Sequence, residues 1–144
     1  MSIEKAFQAV IEENKNKYSY FGEILISPQK TNDKYFFLID VEDELVMDTG
    51  FYIRDAIKQR VNVMLIAKAT HNEQDEVDEK LRESAKELMK IIKNNKRLVS
   101  LVYQDGFLQT CTIEKNIKGS NVFFGNQVRM RMLVYDCKYF NPIP

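Results

Sequence analysis

The residues best suited to chemistry are acidic and crowd into residues 40–48: Asp40, Glu42, Asp43, Glu44 and Asp48. Carboxylates at the end of a strand could bind Mg²⁺ and support phosphodiester cleavage, because this cation prefers oxygen ligands and activates bound water. A nuclease of this kind also needs a cationic groove for DNA, and the sequence has no evident basic patch. We therefore favour an exposed charged flank that discourages strand aggregation, and keep a small metal-dependent nuclease as the alternative.

Other reactive groups are sparse. His71 is the single histidine, and it cannot build a catalytic triad or a zinc site without converging partners. Cys111 and Cys137 have no metal-ligand spacing, which predicts buried, reduced thiols in a cytoplasmic setting. Neither of the common glycine-rich phosphate-binding motifs is present. The sequence therefore predicts a protein that is not an enzyme and that uses no metal and no cofactor.

Composition narrows the class further. The chain has 144 residues, of which 44% are hydrophobic and 29% charged, as expected for one globular domain over residues 1–144. Its 21 Lys and Arg residues balance 21 Asp and Glu residues, so no net positive charge draws it to nucleic acid or membranes. No apolar run approaches the roughly 20 residues of a membrane helix. The first residues also lack the apolar core of a signal peptide.

Two amphipathic helices are predicted from apolar residues at helical spacing. The first is short, begins after Ser2 as its cap, and has one apolar face made of Ile3, Ala6, Phe7, Val10 and Ile11. The second is long, and Met89 and Ile91 widen its stripe of Val77, Leu81, Ala85, Leu88 and Ile92. Acidic residues near its start and basic residues near its end complement the helix dipole.

The rest of the chain predicts strands. Apolar runs over residues 18–26, 35–41, 98–103, 107–117 and 122–139 are separated by turn residues, among them Asp105-Gly106 and residues 118–121. Asp48-Thr49-Gly50 predicts a hairpin turn between long arms, residues 35–47 and 51–69, whose tip would project because one small core cannot cover it. A helical turn over residues 52–58 is the alternative. The expected fold is α+β: one mostly antiparallel sheet with a long projecting hairpin, packed by both helices.

The last predicted strand carries two arginines two residues apart, Arg129 and Arg131, which therefore share one face. We expect at least one of them to pair with a carboxylate. The alternate positions, led by Val128, Met130 and Met132, would then form the face that packs against the long helix. Loss of one partner from a partly buried pair would weaken folding or assembly, because the other charge would be stranded.

Two apolar segments are candidates for subunit contacts. Leu45, Val46 and Met47 form a triplet at the proposed hairpin tip, inside the acidic segment, where they would suit an oligomer better than a monomer. Tyr139 and Phe140 lie just before two prolines that stop strand pairing, and they are unusually apolar for a free tail. Packing of either segment against its own domain is the competing interpretation.

The order of elements resembles that of the tail terminator proteins of long-tailed bacteriophages. The resemblance rests on the segment AKATHNEQDEVDEKLRE leading into the long helix, the turn at Asp105-Gly106 and the alternating strand VRMRMLVYD. It covers residues 3–139, whereas residues 17–34 and the proline-containing tail have no counterpart that we can match.

The resemblance implies a virion structural protein, assembled in the host cytoplasm and located at the tail end or neck. Six copies would form a ring that caps the tail tube, ends polymerisation and provides the surface that joins the head. Its partners would be further copies of the chain, the tube protein and, in contractile tails, the sheath, with neck proteins beyond. DNA would pass through the ring without specific binding, so the lining should be polar and not strongly cationic. Another neck or head-completion subunit is the nearest alternative.

Overall fold

The computed structural model of the protein describes residues 2–14, 21–27, 31–42, 45–47, 56–68, 71–95, 98, 103–115 and 128–140. At residues 45–47, 56, 71, 103–115 and 138–140 it describes the backbone alone. The elements follow the order α1 (Ile3–Glu13), β1 (Ile24–Leu25), β2 (Tyr35–Val41), β3 (Leu45–Met47), β4 (Ala56–Lys68), α2 (Gln74–Asn94), β5 (Tyr103–Lys115) and β6 (Val128–Phe140). A single 3₁₀ turn, His71–Glu73, leads into α2. The fold is α+β, as predicted.

Both helices form where the apolar spacing predicts them. The Ser2 side chain accepts a hydrogen bond from the Lys5 amide and so caps α1, whose predicted apolar residues are all buried. The predicted stripe of α2 is buried as well, and Met89 and Ile91 are partly buried against the same core. The prediction of two amphipathic helices is confirmed.

The described strands form one mostly antiparallel sheet in the order β1-β2-β4-β6-β5, with β3 paired to the first residues of β4. β4 and β6 are each 13 residues long and pair over their whole length, which makes them the centre of the sheet. The pairing of β1 with β2 is parallel and covers only two residues of each strand, Ile24↔Phe37 and Leu25↔Leu38. The predicted strand over residues 18–26 is therefore much shorter within the described residues.

Gly22 allows the chain to enter β1 at the edge of the sheet. The Asp33 carboxylate accepts a hydrogen bond from the Glu23 amide at 2.7 Å, so it lies directly against the Gly22 backbone. A Cβ atom added at residue 22 would fall 2.1 Å from the Asp33 Oδ2 atom. The Gly22 amide in turn donates to the Tyr35 carbonyl at 2.9 Å. A side chain at residue 22 would therefore displace the Asp33 carboxylate and break its hydrogen bond to the Glu23 amide.

The two arms of the predicted hairpin pair with each other. β2 pairs with residues 61–67 of β4, and β3 continues along the same side with Leu45↔Lys58 and Met47↔Ala56. The alternative of a helical turn over residues 52–58 is wrong for residues 56–58, which are extended. The predicted turn at residues 48–50 lies outside the described residues, so the projection of the hairpin stays a prediction.

Two predictions about the later strands are wrong. Asp105-Gly106 is not a hairpin turn but lies within β5, at a register shift between the pairs Gln104↔Cys137 and Phe107↔Asp136. A glycine inside a strand often marks such a bulge, and a short sequence does not distinguish it from a turn. Leu98, predicted as the start of a strand, is helical and fully buried. The turn predicted at residues 118–121 lies outside the described residues.

The core lies on one face of the sheet, under both helices. Its residues on the three long described strands that it contacts are Tyr35, Phe37 and Ile39 of β2, Ile57, Val61, Val63, Leu65 and Ala67 of β4, and Leu133, Tyr135 and Cys137 of β6. A second buried cluster occupies the opposite face, which we call the far face. Its fully or nearly fully buried members are Leu25, Phe36, Leu38, Ile66, Val128 and Met130, with Met64 partly buried beside them. Both faces of the central strands are therefore apolar along part of their length.

The face predicted for β6 is wrong. Val128 and Met130 belong to the far-face cluster, whereas the odd-numbered residues of the strand face the helices. The alternation of side chains was present in the sequence, but it could not say which face the helices cover. In a central strand with apolar residues on both faces, either choice buries hydrophobic surface.

Candidate functional site

The two segments predicted to contact other subunits meet at one end of the sheet. β3, which comprises Leu45, Val46 and Met47, pairs with residues 56–58 of β4. The other side of the same β4 residues pairs with the end of β6, through Ile57↔Tyr139 and Ala56↔Phe140. The two candidate segments thus lie on neighbouring strands, one on each side of β4, and form one continuous three-stranded region.

The structure places each segment in a paired strand. The triplet Leu45–Met47 pairs with the start of β4, at the end of the predicted hairpin arm and before the predicted turn. Tyr139 and Phe140 belong to β6 and are not a free tail. Their backbones pair within the chain's own sheet. A role of either segment in subunit contacts stays a prediction.

A charged cluster occupies the far face next to this region. The Arg60 Nε atom donates a hydrogen bond to the Asp136 Oδ1 atom at 2.9 Å and lies 3.8 Å from a carboxylate oxygen of Glu42. Glu42 also accepts from the Asn62 side chain at 3.3 Å. The hydrogen bond to Asp136, with the charges of Asp136 and Glu42, raises the pKa of Arg60. Because Arg60 is half-exposed, water and salt screen this cluster.

Part of the predicted metal site falls in this cluster. Asp40 is exposed and pairs in register with Asn62, which places it on the same face as Glu42. Glu42, however, is already engaged by Arg60 and Asn62. Asp43, Glu44 and Asp48 lie outside the described residues. Within the part of the chain that the structure describes, no three potential ligands are grouped so that they could hold a metal ion.

A second charged pair is buried between β6 and the start of α2. The Arg129 Nη2 atom donates to the Gln74 Oε1 atom at 2.9 Å and lies 3.4 Å from the Asp78 Oδ2 atom. The side chains of Arg129 and Asp78 are only 7% and 16% exposed. Arg129 therefore meets a carboxylate, as predicted for at least one of the two arginines. Sequence reasoning missed Asp78 and Gln74 as its partners, since the pairing depends on which face of β6 the helix covers.

This buried pair is only partly satisfied. Arg129 Nε, Arg129 Nη1 and Asp78 Oδ1 are all buried and have no hydrogen-bond partner among the residues that the structure describes. Such a network is less stabilising than a fully satisfied one, because each unpaired buried polar atom has lost its contact with water. Arg131, the second arginine of the predicted pair, is partly buried on the same strand and has polar contacts of its own.

Ionic contacts also fasten the start of α2 to β2. Lys34 forms an ion pair with Glu73, and this hydrogen bond raises the pKa of Lys34. Lys80 pairs with Glu76 at 3.1 Å, and its Nζ atom lies 5.7 Å from the centre of the Tyr35 ring. The Lys34–Glu73 pair and the Lys80–Tyr35 contact thus link the start of α2 to the start of β2, and exposure to water keeps the ion pair weak.

The remaining candidate groups give no reactive site among the described residues. Cys137 is buried, and burial, together with the charge of Asp136, raises the pKa of its thiol to about 12. The thiol is therefore protonated at neutral pH and is a poor nucleophile, in line with the predicted buried cysteine. For Cys111 and His71 the structure gives only the backbone, in β5 and in the 3₁₀ turn before α2.

Comparison with known proteins adds no family assignment. The sequence matches no model of a known protein family, and no curated protein sequence matches it. In the described residues neither helix is long and apolar enough to cross a membrane.

Proposed function

We propose that this protein is a structural subunit of a long-tailed phage or phage-tail-like particle. Copies of the chain form a ring, most simply a hexamer, that caps the tail tube. The ring ends tube polymerisation and provides the surface to which the head joins. Its partners are further copies of the chain and the tube protein, with the sheath of a contractile tail and the neck proteins as additional neighbours.

One observation carries this proposal: the two candidate contact segments lie on either side of the same part of β4. Leu45–Met47 and Tyr139–Phe140 are separated by about 90 residues of sequence, yet both segments pair with Ala56 and Ile57 of β4, one from each side. Two apolar segments gathered at one end of a sheet can act as a single contact surface. The α+β fold keeps the short helix, the strands before the long helix and the strands after it, but the turn at Asp105-Gly106 that also suggested the tail terminator resemblance lies inside β5.

The charge distribution supports a ring through which DNA can pass. The chain has no net positive charge, and Arg129 turns toward α2 and pairs with Asp78 rather than adding a free cation to a surface. Arg60 is matched by Asp136 and Glu42 on the far face. Since each lysine or arginine that neutralises a phosphate adds salt-dependent affinity, pairing of these cations keeps binding to passing DNA weak.

Deletion of the gene for this protein from the genome that encodes the particle tests this role. A subunit that ends polymerisation predicts headless tails of irregular length, many longer than normal, because tube growth is no longer stopped. The same chain supplied in trans should restore normal length. Tails of normal length that fail to join heads would instead indicate another neck or head-completion subunit. Normal, infectious particles without the protein would contradict both roles.

A further inference from the structure

Each edge of the sheet has backbone groups that no other described strand pairs with, and these could pair with another chain. One edge is β5, a strand of 13 residues that pairs only with β6 among the described residues. At the other edge, β1 covers only two residues of β2, and no described strand lies on the outer side of β3. Long unprotected edge strands are uncommon, because they invite pairing with other chains.

The pairing pattern identifies which amides point outward. Lys68 donates to the Lys34 carbonyl and Glu42 to the Arg60 carbonyl, so the even-numbered residues of β4 bond toward β2 and β3. The register then places Leu45 and Met47 in bonded pairs with β4 and leaves the amide of Val46, between them, directed outward.

The same alternation applies across the sheet to β5. The odd-numbered residues of β4 form backbone hydrogen bonds with β6, and they pair with the odd-numbered residues of that strand. The even-numbered residues of β6 are therefore the ones whose backbone groups bond with β5. Thr112 and Glu114, which pair with Met132 and Met130, therefore use their amides within the chain. Ile113, between them, directs its amide and carbonyl outward. This part of β5 is regular, whereas both register shifts lie earlier in the strand.

We propose that the ring closes by strand addition: the outer edge of β5 around Ile113 pairs with the outer edge of β3 around Val46 in a second copy of the chain. This inference rests on the proposed ring and specifies its contact. The two edges lie on opposite sides of one sheet, so their pairing is head-to-tail, which is the kind of contact that a closed ring requires. Backbone hydrogen bonds supply the affinity in such strand addition.

The sequence around the two edges favours a second copy as the partner. Acidic residues flank β3 in the sequence, Asp43 and Glu44 before it and Asp48 after it. β5 ends at Glu114 and Lys115, and Lys118 follows three residues later, which leaves this end of the strand with one net positive charge. Opposite charges at the ends of two pairing strands favour one register and one partner.

Proline substitution tests the contact without removing a hydrogen bond inside the chain. Ile113→Pro and Val46→Pro each delete one outward N–H, and proline is tolerated at edge positions of this kind. Ile113→Val and Val46→Ile keep the N–H and serve as matched controls. We expect both proline variants to keep the circular dichroism spectrum of the parent and to lose the ring in native mass spectrometry. The controls should retain it.

Mixing the two proline variants gives a sharper result. The Ile113→Pro chain keeps its β3 edge and the Val46→Pro chain keeps its β5 edge, so one good contact remains between them. The mixture should form a heterodimer and no ring. Rings formed by either proline variant alone would overturn the strand-addition contact while leaving the ring role intact. If the ring forms through these edges but the protein is absent from purified tails, the strand-addition contact stands and the proposed function is wrong.

Hydrogen exchange on the unmodified chain keeps the inference testable even if a proline variant fails to fold. The amides of Val46 and Ile113 should exchange more slowly in the assembled protein than in the monomer at low concentration. The amides of Thr112 and Leu45, already bonded within the chain, should change little. Equal exchange of Val46 and Ile113 in both states, or a chain that never assembles, would contradict the proposed contact.

Discussion

Arg129 and Arg60 each pair with an aspartate, but the two pairs occupy different environments. Arg129 and Asp78 lie between β6 and α2, mostly removed from water and with several polar atoms unpaired within the described structure. Arg60 and Asp136 lie on the far face, where Arg60 is half-exposed and water can replace either partner. Breaking the two ion pairs should therefore change stability by different amounts. Loss of Arg129 leaves a buried charge without a partner, whereas loss of Arg60 leaves a charge that water can hydrate.

The largest expected effect is loss of Arg129. Arg129→Ala leaves the Asp78 carboxylate buried without its cation, which should lower the free energy of unfolding by about 3 kcal/mol. Arg60→Ala is the matched control, because the Asp136 carboxylate that it leaves behind is partly exposed and can be hydrated; we expect little change. Urea denaturation of both variants measures the difference. Equal losses for the two variants would mean that burial does not distinguish the pairs.

Replacing both buried partners should reverse much of that loss. In the double variant Arg129→Met with Asp78→Leu, no charge is stranded and the unpaired polar atoms are removed. Apolar replacement of a whole buried pair is often neutral or stabilising. We expect the double variant to unfold at higher urea than Arg129→Ala. A double variant less stable than Arg129→Ala would show that the pair stabilises the contact between α2 and β6 through its own interactions.

The environments on the two sides of β6 can also be compared through neighbouring residues, Asp136 on the far face and Cys137 in the core. Burial raises the pKa of the Cys137 thiol from 9.0 to about 12. In the unfolded chain the thiol ionises from about pH 9, whereas in the folded chain it keeps its proton, so stability should fall as the pH rises between these values. Cys137→Ala should remove this part of the slope. If the free energy of unfolding of the variant falls with pH as steeply as that of the parent, a group other than Cys137 causes the loss of stability at high pH.

The smallest expected effect concerns the exposed cluster. If Glu42 serves only as a partner of Arg60 and Asn62, Glu42→Gln should leave the fold intact. The parent protein should not cleave DNA when Mg²⁺ or Mn²⁺ is added, and neither ion should raise its melting temperature specifically. Cleavage assays and thermal melts with and without metal measure both. Metal-dependent cleavage that Glu42→Gln abolishes would favour the nuclease alternative.

The elements predicted well from sequence are those whose pattern has one simple structural explanation. Each helix has a single apolar face at helical spacing, and β2 is a short apolar run between turn residues, buried on both faces. β6 was predicted with the wrong face toward the helices, since its alternate positions are apolar on both sides. Asp105-Gly106 was predicted as a turn because glycine serves bulges and turns equally well. The partners of Arg129 could not be found, because contacts between Asp78 and β6 depend on packing rather than on local sequence.

The acidic segment shows the same limit at the candidate site. The sequence grouped Asp40, Glu42 and their neighbours by spacing alone, but the partners of Glu42 come from β4, about 20 residues later. The adjacency of Leu45–Met47 and Tyr139–Phe140 was equally hidden, because it depends on β4 pairing with a different strand on each side. Local patterns identified the segments, and only the sheet order brought them together.

The most direct test of the central claim is an image of the tail end. Particles reconstructed by electron microscopy, with the protein identified by a bound antibody fragment, should show a closed ring of this chain on the tube end nearest the head. Native mass spectrometry of the same material should give a mass of six copies. A protein that is monomeric both free and in particles, or that lies away from the tube end, would contradict the account.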